Sequence, residues 1–315
     1  MIKRLFAFGL SLSLAGTVLA AEKVRYANHF KLTPFYGLPA IAAVEKGFFK
    51  ERGLEVSYVG FDLASLMARA VATGDLDVGT YGHDSAVFSI VRKVPLTIIG
   101  DPKMPVPFAL WVLKDSPLRE PSQLKGTRIG VVGLAELPRR LVDQLLPKIG
   151  LDKADIKPVG TGGGPAAVAA LKSGAVQALC LSFYAMVALK ARGEVRELLY
   201  VTDYVPWTRT AQTLIANRAF AEKKKEVVKR VVEGFMEGAA FVLANEAWSI
   251  EKMKSDFGYS EAAARLSLPI FRYGRDGRIS AEVIKDSIEY LVSVGDISRA
   301  EVPPVETFYL KEMAD

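Results

Sequence analysis

Cysteine is almost missing from this chain: Cys180 is the only one in 315 residues. No internal disulfide can form, so burial must hold the fold, and a lipid anchor on a cysteine at the end of a leader is excluded. Cys180 lies in the apolar run VQALCLS, where it reads as a small buried hydrophobe. Histidine is nearly as scarce, with His29 and His83 the two present. Neither sits in an H-x-x-H or His-plus-carboxylate spacing, so no metal site is expected. Beyond the first twenty residues no apolar run is long enough to cross a bilayer, and membrane insertion is not expected. Charge of one sign is not concentrated either. The 41 Lys and Arg residues are interspersed with 35 Asp and Glu, without the basic arm or basic-aromatic interleaving that a nucleic-acid backbone selects. A G-x-S-x-G elbow is lacking too. The glycine-rich GTGGGPAA lacks the Lys-Ser/Thr ending of a phosphate loop and the spacing of a dinucleotide fingerprint. It reads instead as a cleft loop or as a turn before Pro165 opens a helix.

What is present begins with a leader. Met1-Ile2-Lys3-Arg4 precedes an apolar stretch from Leu5 to Leu14 and the small-residue pattern AGTVLAAEK, with Val18 and Ala20 at the cleavage positions. This is the pattern of a secretory signal peptide over residues 1–20, and it implies a protein free in the periplasm. The remaining chain exceeds what one core usually organises, which suggests two lobes.

The order of elements supports that division. KVRYANHF reads as a strand, PFYGLPAIAAVEKGFFKERG as a helix, LEVSYVG as a strand, and a helix capped by Asp62 carries Leu63, Leu66, Met67, Ala70 and Val71 on one face. Gly74 stops it and the strand LDVGT follows. The same order recurs about a hundred residues later, in TRIGVVG, ELPRRLVDQLLPKIG, DIKPVG and GPAAVAALKSGAVQALCLS. There LKSGAVQALCLS lies over VATGDLDVGTYG position for position, Gly174 on Gly74 and Val176 on Leu76. Alternating strands and helices predict an α/β fold of two similar lobes, each a mainly parallel sheet flanked by helices, with ligands beyond the carboxyl ends of the strands. Two proline-containing extended runs, PKMPVPFALWVLKDSP and DYVPWTRTAQTLIANRAF, read as two crossings that form a hinge. The expected layout is lobe I over 21–110, lobe II over 111–210, and a helical return to lobe I over 211–315. In that return Val227, Val228, Val231, Val232, Phe235 and Met236 form one apolar stripe.

The stretch GDLDVGTYGHDS, residues 74–85, ends a strand in groups that can bind. Gly79, Gly82 and the hydroxyls of Thr80 and Ser85 let a ligand approach the backbone, and a helix starting near Asp84 offers the positive end of its dipole. The same residues also fit a strand-to-helix turn with Asp84 or Ser85 as cap. His83 reads as a hydrogen-bond donor. Arg139 and Arg140 follow Pro138 in a first helical turn; they are either solvated or, facing the cleft, poised to pair with an acid group, with Glu136 beside them. Phe30, Phe35, Tyr36, Tyr81, Phe183, Tyr184 and Trp207 crowd the proposed cleft, the pattern of a flat ring held by stacking.

With these elements in place, PFYGLPAIAAVEKGFFKERGLEV, GDLDVGTYGHDS, LKDSPLREPSQLKGTRIGV and LKSGAVQAL together resemble the type II periplasmic solute-binding proteins of the NMT1/THI5-like group, over nearly all of the chain after the leader. The resemblance implies capture of a small solute between closing lobes and delivery to the permease subunits of an ATP-driven (ABC) importer by a monomer. It places ligand contacts in four loops: Asn28 to Tyr36 with His29, Thr80 to Ser85, Gly133 to Arg139 with Ala135 and Glu136, and Gly162 to Gly164 around Gly163 with Ser182 to Tyr184. GLAELPRR stands where many relatives have a Ser/Thr pair, and Gln177 where an acid is common. Both departures weaken a specific claim for sulfonate or nitrate; the aromatics and the arginines favour an aromatic or heterocyclic solute, with or without an acid group, and an aliphatic sulfonate, nitrate or taurine stands as the alternative. The pyrimidine-forming enzymes of the group carry a cysteine-rich motif that this chain lacks, so neither catalysis nor a pyridoxal cofactor is expected.

Overall fold

A computed structural model describes residues 21–28, 34–61, 64–105, 107–134, 137–162, 164–205 and 212–314. The leader, Asp62, His29, Phe30, Ala135, Glu136, Gly163 and Trp207 lie outside the described residues. Ten strands alternate with helices among the described residues. In the first part of the chain they are β1 (Glu22–Asn28), α1 (Pro34–Glu45), α2 (Phe48–Glu51), β2 (Leu54–Gly60), α3 (Ala64–Thr73), β3 (Val78–Gly82), α4 (His83–Val91) and β4 (Leu96–Met104). The second part holds β5 (Phe108–Leu113), β6 (Arg128–Val131), α5 (Leu137–Lys148), β7 (Lys157–Gly160), α6 (Gly164–Lys172), β8 (Ala178–Ser182), α7 (Phe183–Ala191) and β9 (Val195–Tyr200). The return contains β10 (Gln212–Asn217), α8 (Arg218–Lys223), α9 (Lys225–Ala244), α10 (Glu246–Phe257), α11 (Glu261–Ser267) and α12 (Ala281–Ser293).

These strands build two five-stranded sheets, ordered β2-β1-β3-β10-β4 and β7-β6-β8-β5-β9. The orders are the same once each strand is matched to its counterpart. In both sheets the fourth strand is antiparallel to its neighbours, β10 against β3 and β4, and β5 against β8 and β9. Each sheet is thus mainly parallel, as expected, with one antiparallel strand whose cause is connectivity. Each of these strands is where the chain enters a lobe from the other one, so it runs against the strands that grew inside that lobe. The crossings fall between β4 and β5 and between β9 and β10.

Both faces of the second sheet are buried, which explains its unbroken apolar strands. Leu110, Val112, Ala178 and Cys180 pack one way with the α5 residues Leu141, Val142, Leu145 and Leu146. The alternate residues Ala109, Trp111, Leu179 and Leu181 pack the other way with Phe183, Met186 and Val187 of α7. The Trp111 indole N–H donates to the Leu181 carbonyl at 3.0 Å, so this large ring is buried without an orphaned donor.

The first sheet is covered by the return. The stripe Val227, Val228, Val231, Val232, Phe235 and Met236 of α9 is buried, and α9 packs on α1 and α2. Part of the return does not stay on the first lobe. α11 packs on α7, burying Ala263 among Phe183, Met186 and Leu189 of the second lobe. α11 covers an apolar face of α7, so the C-terminal region spans both lobes.

Candidate functional site

The βα junctions of the two lobes set the geometry. β3 runs into α4 through Gly82 and β8 runs into α7 through Ser182, and neither capping residue supplies a side-chain hydrogen bond to its helix. The cap of α4 is Gly82 rather than Asp84 or Ser85. Asp84 and Ser85 are therefore available in the first turn, where a helix presents free N–H groups and the positive end of its dipole.

Asp84 and Ser85 line a cavity of about 420 Å³ together with Tyr81 and Phe88 of the first lobe and Leu137 and Arg140 of the second, closed by Tyr290 and Asp296. Loop tips of both lobes thus meet around one space. Asp84 accepts a hydrogen bond from the Ser287 hydroxyl at 2.7 Å. Its burial pushes its carboxyl up to about 6, against the opposing pull of that hydrogen bond and of Arg140. Arg140 reaches from α5 across to the first lobe. It donates to the Tyr290 hydroxyl at 2.9 Å and lies 3.4 Å from Asp296.

A second meeting of the lobes is aromatic. Tyr184, at the start of α7, stacks on Phe35 of α1 with ring centroids 5.4 Å apart. Phe35 also stacks on Tyr273 at 5.2 Å and meets Phe271 at 5.1 Å, and the Tyr273 hydroxyl donates to the Phe35 carbonyl at 2.8 Å. Tyr36 is hydrogen-bonded to the side chain of Gln212, which sits at the start of β10 opposite Gly82. Two polar atoms of this seam are buried without a hydrogen bond, Gln212 Oε1 and Tyr184 Oη. Burial holds the Tyr184 hydroxyl well above its ordinary value, with Tyr36, Tyr273 and Tyr259 close enough to add to the shift.

The remaining sequence-predicted residues are distributed more widely. Asn28 is fully buried at the end of β1 and donates to the Tyr58 hydroxyl at 3.2 Å. Thr80 is buried and its hydroxyl engages that of Tyr26. His83 is directed into the packing of α4 on α12, beside the Val283 backbone, and burial drives its imidazolium down to about 4. Arg139 turns along its own helix to Asp143 at 2.9 Å, while its neighbour Arg140 crosses between the lobes. Ser182 is partly buried as the cap of α7. Cys180 is buried in β8 with its thiol pushed up to about 12, the state of a core residue and not of a nucleophile. Gln177, which stands where the resembled family often has an acid, accepts from the Arg128 backbone N–H at 2.9 Å at the opposite end of β8. It has no part in the cleft.

Gln212, Tyr290, Asp296, Phe271 and Tyr273 are the cleft groups that motif reading missed, whereas Arg140 is one of the two arginines it had set against the cleft. Gln212 carried one usable signal, as the first polar residue of the strand that follows the second crossing. The last four lie in the C-terminal region, where aromatic and acidic residues at helical spacing look like ordinary core and surface. Among the described residues no three His, Cys, Asp or Glu side chains come together in a way that could hold a metal ion. No helix of the described residues is long and apolar enough to cross a membrane.

Two sheets of the same strand order, facing each other through loop tips, define a two-lobed α/β binding fold. Residues 35–247 match the family model described as NMT1/THI5 like, and the chain belongs to that family. The periplasmic aliphatic sulphonate binding protein SsuA from Escherichia coli shares the fold, with a TM-score of 0.75 at 22% identity over 93% of this chain and 98% of that one. In sequence, the chain is 30% identical to the 4-amino-5-hydroxymethyl-2-methylpyrimidine phosphate synthase of Aspergillus parasiticus over 46% of its own length and 42% of the synthase. It is 27% identical to the putative aliphatic sulfonates-binding protein of Escherichia coli strain K12, over 65% of this chain and 63% of that one. The chain thus spans about two fifths of the length of the first curated relatives it matches.

Proposed function

We propose that this protein is a periplasmic solute-binding protein that captures a small organic solute between its lobes and delivers it to a membrane ATP-driven importer. The observation that carries this reading is the pair of orphaned polar atoms at the seam. A buried polar atom left unpaired costs about 1–3 kcal/mol, and Gln212 Oε1 and Tyr184 Oη come from different lobes, among rings contributed by both. A solute offering a donor to one and an acceptor or donor to the other would offset that cost only when the lobes are together. Closure would then follow binding by population shift. The surrounding rings favour an aromatic or heterocyclic solute, and Arg140 at the neighbouring cavity favours one that carries an acid group. The relatives named as sulfonate-binding and taurine-binding proteins support an aliphatic sulfonate as the second reading. Synthase activity is the least favoured. The synthases match less than half of this chain, and Cys180 is buried with its thiol protonated at physiological pH.

The test is a thermal-shift screen over aromatic acids, pyrimidines, flavins, sulfonates and nitrate. A true ligand at a hundredfold excess over its Kd should add about 2.7 kcal/mol of stability, and Tyr81→Ala or Asp84→Ala should weaken its binding about tenfold while leaving the lobe folded. Unchanged affinity in both variants would move the site elsewhere.

A further inference from the structure

We propose that Arg140 is the closure latch of the molecule: carried by the second lobe, it docks on Tyr290 and Asp296 of the first and sets the balance between open and closed forms. The proposal rests on the solute-binding reading above and adds to it the residue that governs lobe closure.

Arg140 belongs to α5, whose buried face, Leu141, Val142, Leu145 and Leu146, is committed to the second lobe. Tyr290 is committed just as firmly to the first, within the core that includes Ile284, Ile288 and Leu291 of α12. The contact between them therefore joins two separately packed bodies, and its geometry is specific. One guanidinium nitrogen donates to the Tyr290 hydroxyl at 2.9 Å and reaches Asp296 at 3.4 Å. The guanidinium carbon lies 5.9 Å from the centre of the Tyr290 ring, which adds a cation-π attraction. Asp84 faces the same cavity, so a second carboxylate adds to the field that holds the cation there.

The magnitude of the interaction suits a latch. The Arg140 and Asp296 side chains keep 30% and 37% of their exposure. Pairs of this kind stabilise weakly and are screened by salt. An interaction of that size cannot lock the lobes. It can move an open-closed ratio by up to about fivefold, which is the range in which a solute retains control. The neighbouring Arg139 is placed differently, since its guanidinium pairs with Asp143 on the same helix.

Spin labels on Glu51→Cys and Ala175→Cys, exposed positions on the first and second lobes, report the interlobe distance in the full chain by pulsed electron resonance; buried Cys180 stays unlabelled. Without solute, the labelled parent should show a closed-to-open ratio that Arg140→Gln reduces by up to about fivefold and Asp296→Asn reduces less. Arg140→Lys should recover part of it, and the exchange Arg140→Asp with Asp296→Arg should recover more. High salt should act on the parent as Arg140→Gln does and leave that variant unchanged. A merely structural role for Arg140 would lower the melting temperature without this salt dependence or this recovery. Distances in Arg140→Gln and Asp296→Asn that superimpose on the parent's overturn the latch. If solutes from the screen still shorten the distance in that case, the solute-binding reading stands without it. If neither solute nor substitution changes the distance, both fall.

Discussion

The two lobes are one design executed with two sets of residues. At the base of the first, the Arg25 backbone N–H donates to Asp77 at 2.8 Å and the Arg25 side chain reaches the Gly74 carbonyl at 2.8 Å. At the base of the second, the Arg128 backbone N–H donates to Gln177 at 2.9 Å and the Arg128 side chain reaches the Gly174 carbonyl at 2.8 Å. Gly74 and Gly174 hold φ of 83° and 73°, the left-handed conformation that ends α3 and α6 respectively and that glycine adopts at little cost. Away from the cleft, then, an acid and an amide do the same work, and scaffold geometry decides the residue type. At the cleft end the lobes diverge. The turn is Gly82-His83-Asp84 in one and Ser182-Phe183-Tyr184 in the other, so the first lobe brings a carboxylate to the cavity and the second an aromatic ring with a hydroxyl to the seam. The lobes are thus alike at the end away from the cleft and differ where their turns face it.

The sharpest way to break this equivalence is to exchange packing between the sheets. In the first, Gly79 faces Ala27 across β1, and a Cβ there would lie 2.9 Å from the Ala27 carbonyl and 3.0 Å from Met67. In the second, the same register pairs Gly130 with Leu179, whose side chain fills the space over the glycine, 2.5 Å from where a Cβ would be. Each pair holds one large side chain's worth of room, from Met67 on one side and Leu179 on the other. Gly79→Leu should therefore cost about 4 kcal/mol or more and deprive the first lobe of a stable fold, because backbone as well as a side chain blocks it. Denaturant unfolding measures this, and a loss below about 1 kcal/mol would show that the two sheets are not packed as counterparts.

A smaller effect separates the turns by pH. His83 is 2% exposed and its imidazolium is depressed to about 4, with desolvation the main cause. The unfolded chain binds a proton at this residue below about 6.5 and the native chain resists doing so. The stability contributed by neutral His83 is therefore complete above pH 6.5 and lost as pH falls toward 4. His83→Phe installs the counterpart of Phe183 and removes that linkage. The variant should gain on the parent as pH falls from 6.5 to 4, by up to about 3 kcal/mol. Melting temperatures of the two proteins across that interval check it, and a constant difference at every pH would contradict the assignment.

These contrasts also show what the residues alone could reveal. The repeat was legible because the spacing from Gly74 to Leu76 and from Gly174 to Val176 is fixed by one helix stop and one strand start. The direction of β5 and β10 was not, because it depends on how the chain passes between lobes and leaves no trace in local periodicity. The same holds for α11 on α7: Ala263 looks like any small helix residue until the face it covers is known. Arg139 and Arg140 occupy the same helical turn, and which of them crosses the cleft is set by the rotation of α5 on its sheet. Tyr81, Asp84, Ser85, Tyr36 and Tyr184 could be singled out because they lie at or just beyond strand ends. Gln212, Tyr290 and Asp296 arrive at the cleft through tertiary packing.

Everything functional in this account depends on the lobes moving together when a solute enters. Small-angle X-ray scattering of the full chain, with and without the compound that raises its melting temperature most, measures that motion directly. A smaller radius of gyration at saturation is the predicted result. An unchanged radius with the compound demonstrably bound would mean that the lobes form a rigid pair and that capture by closure is wrong.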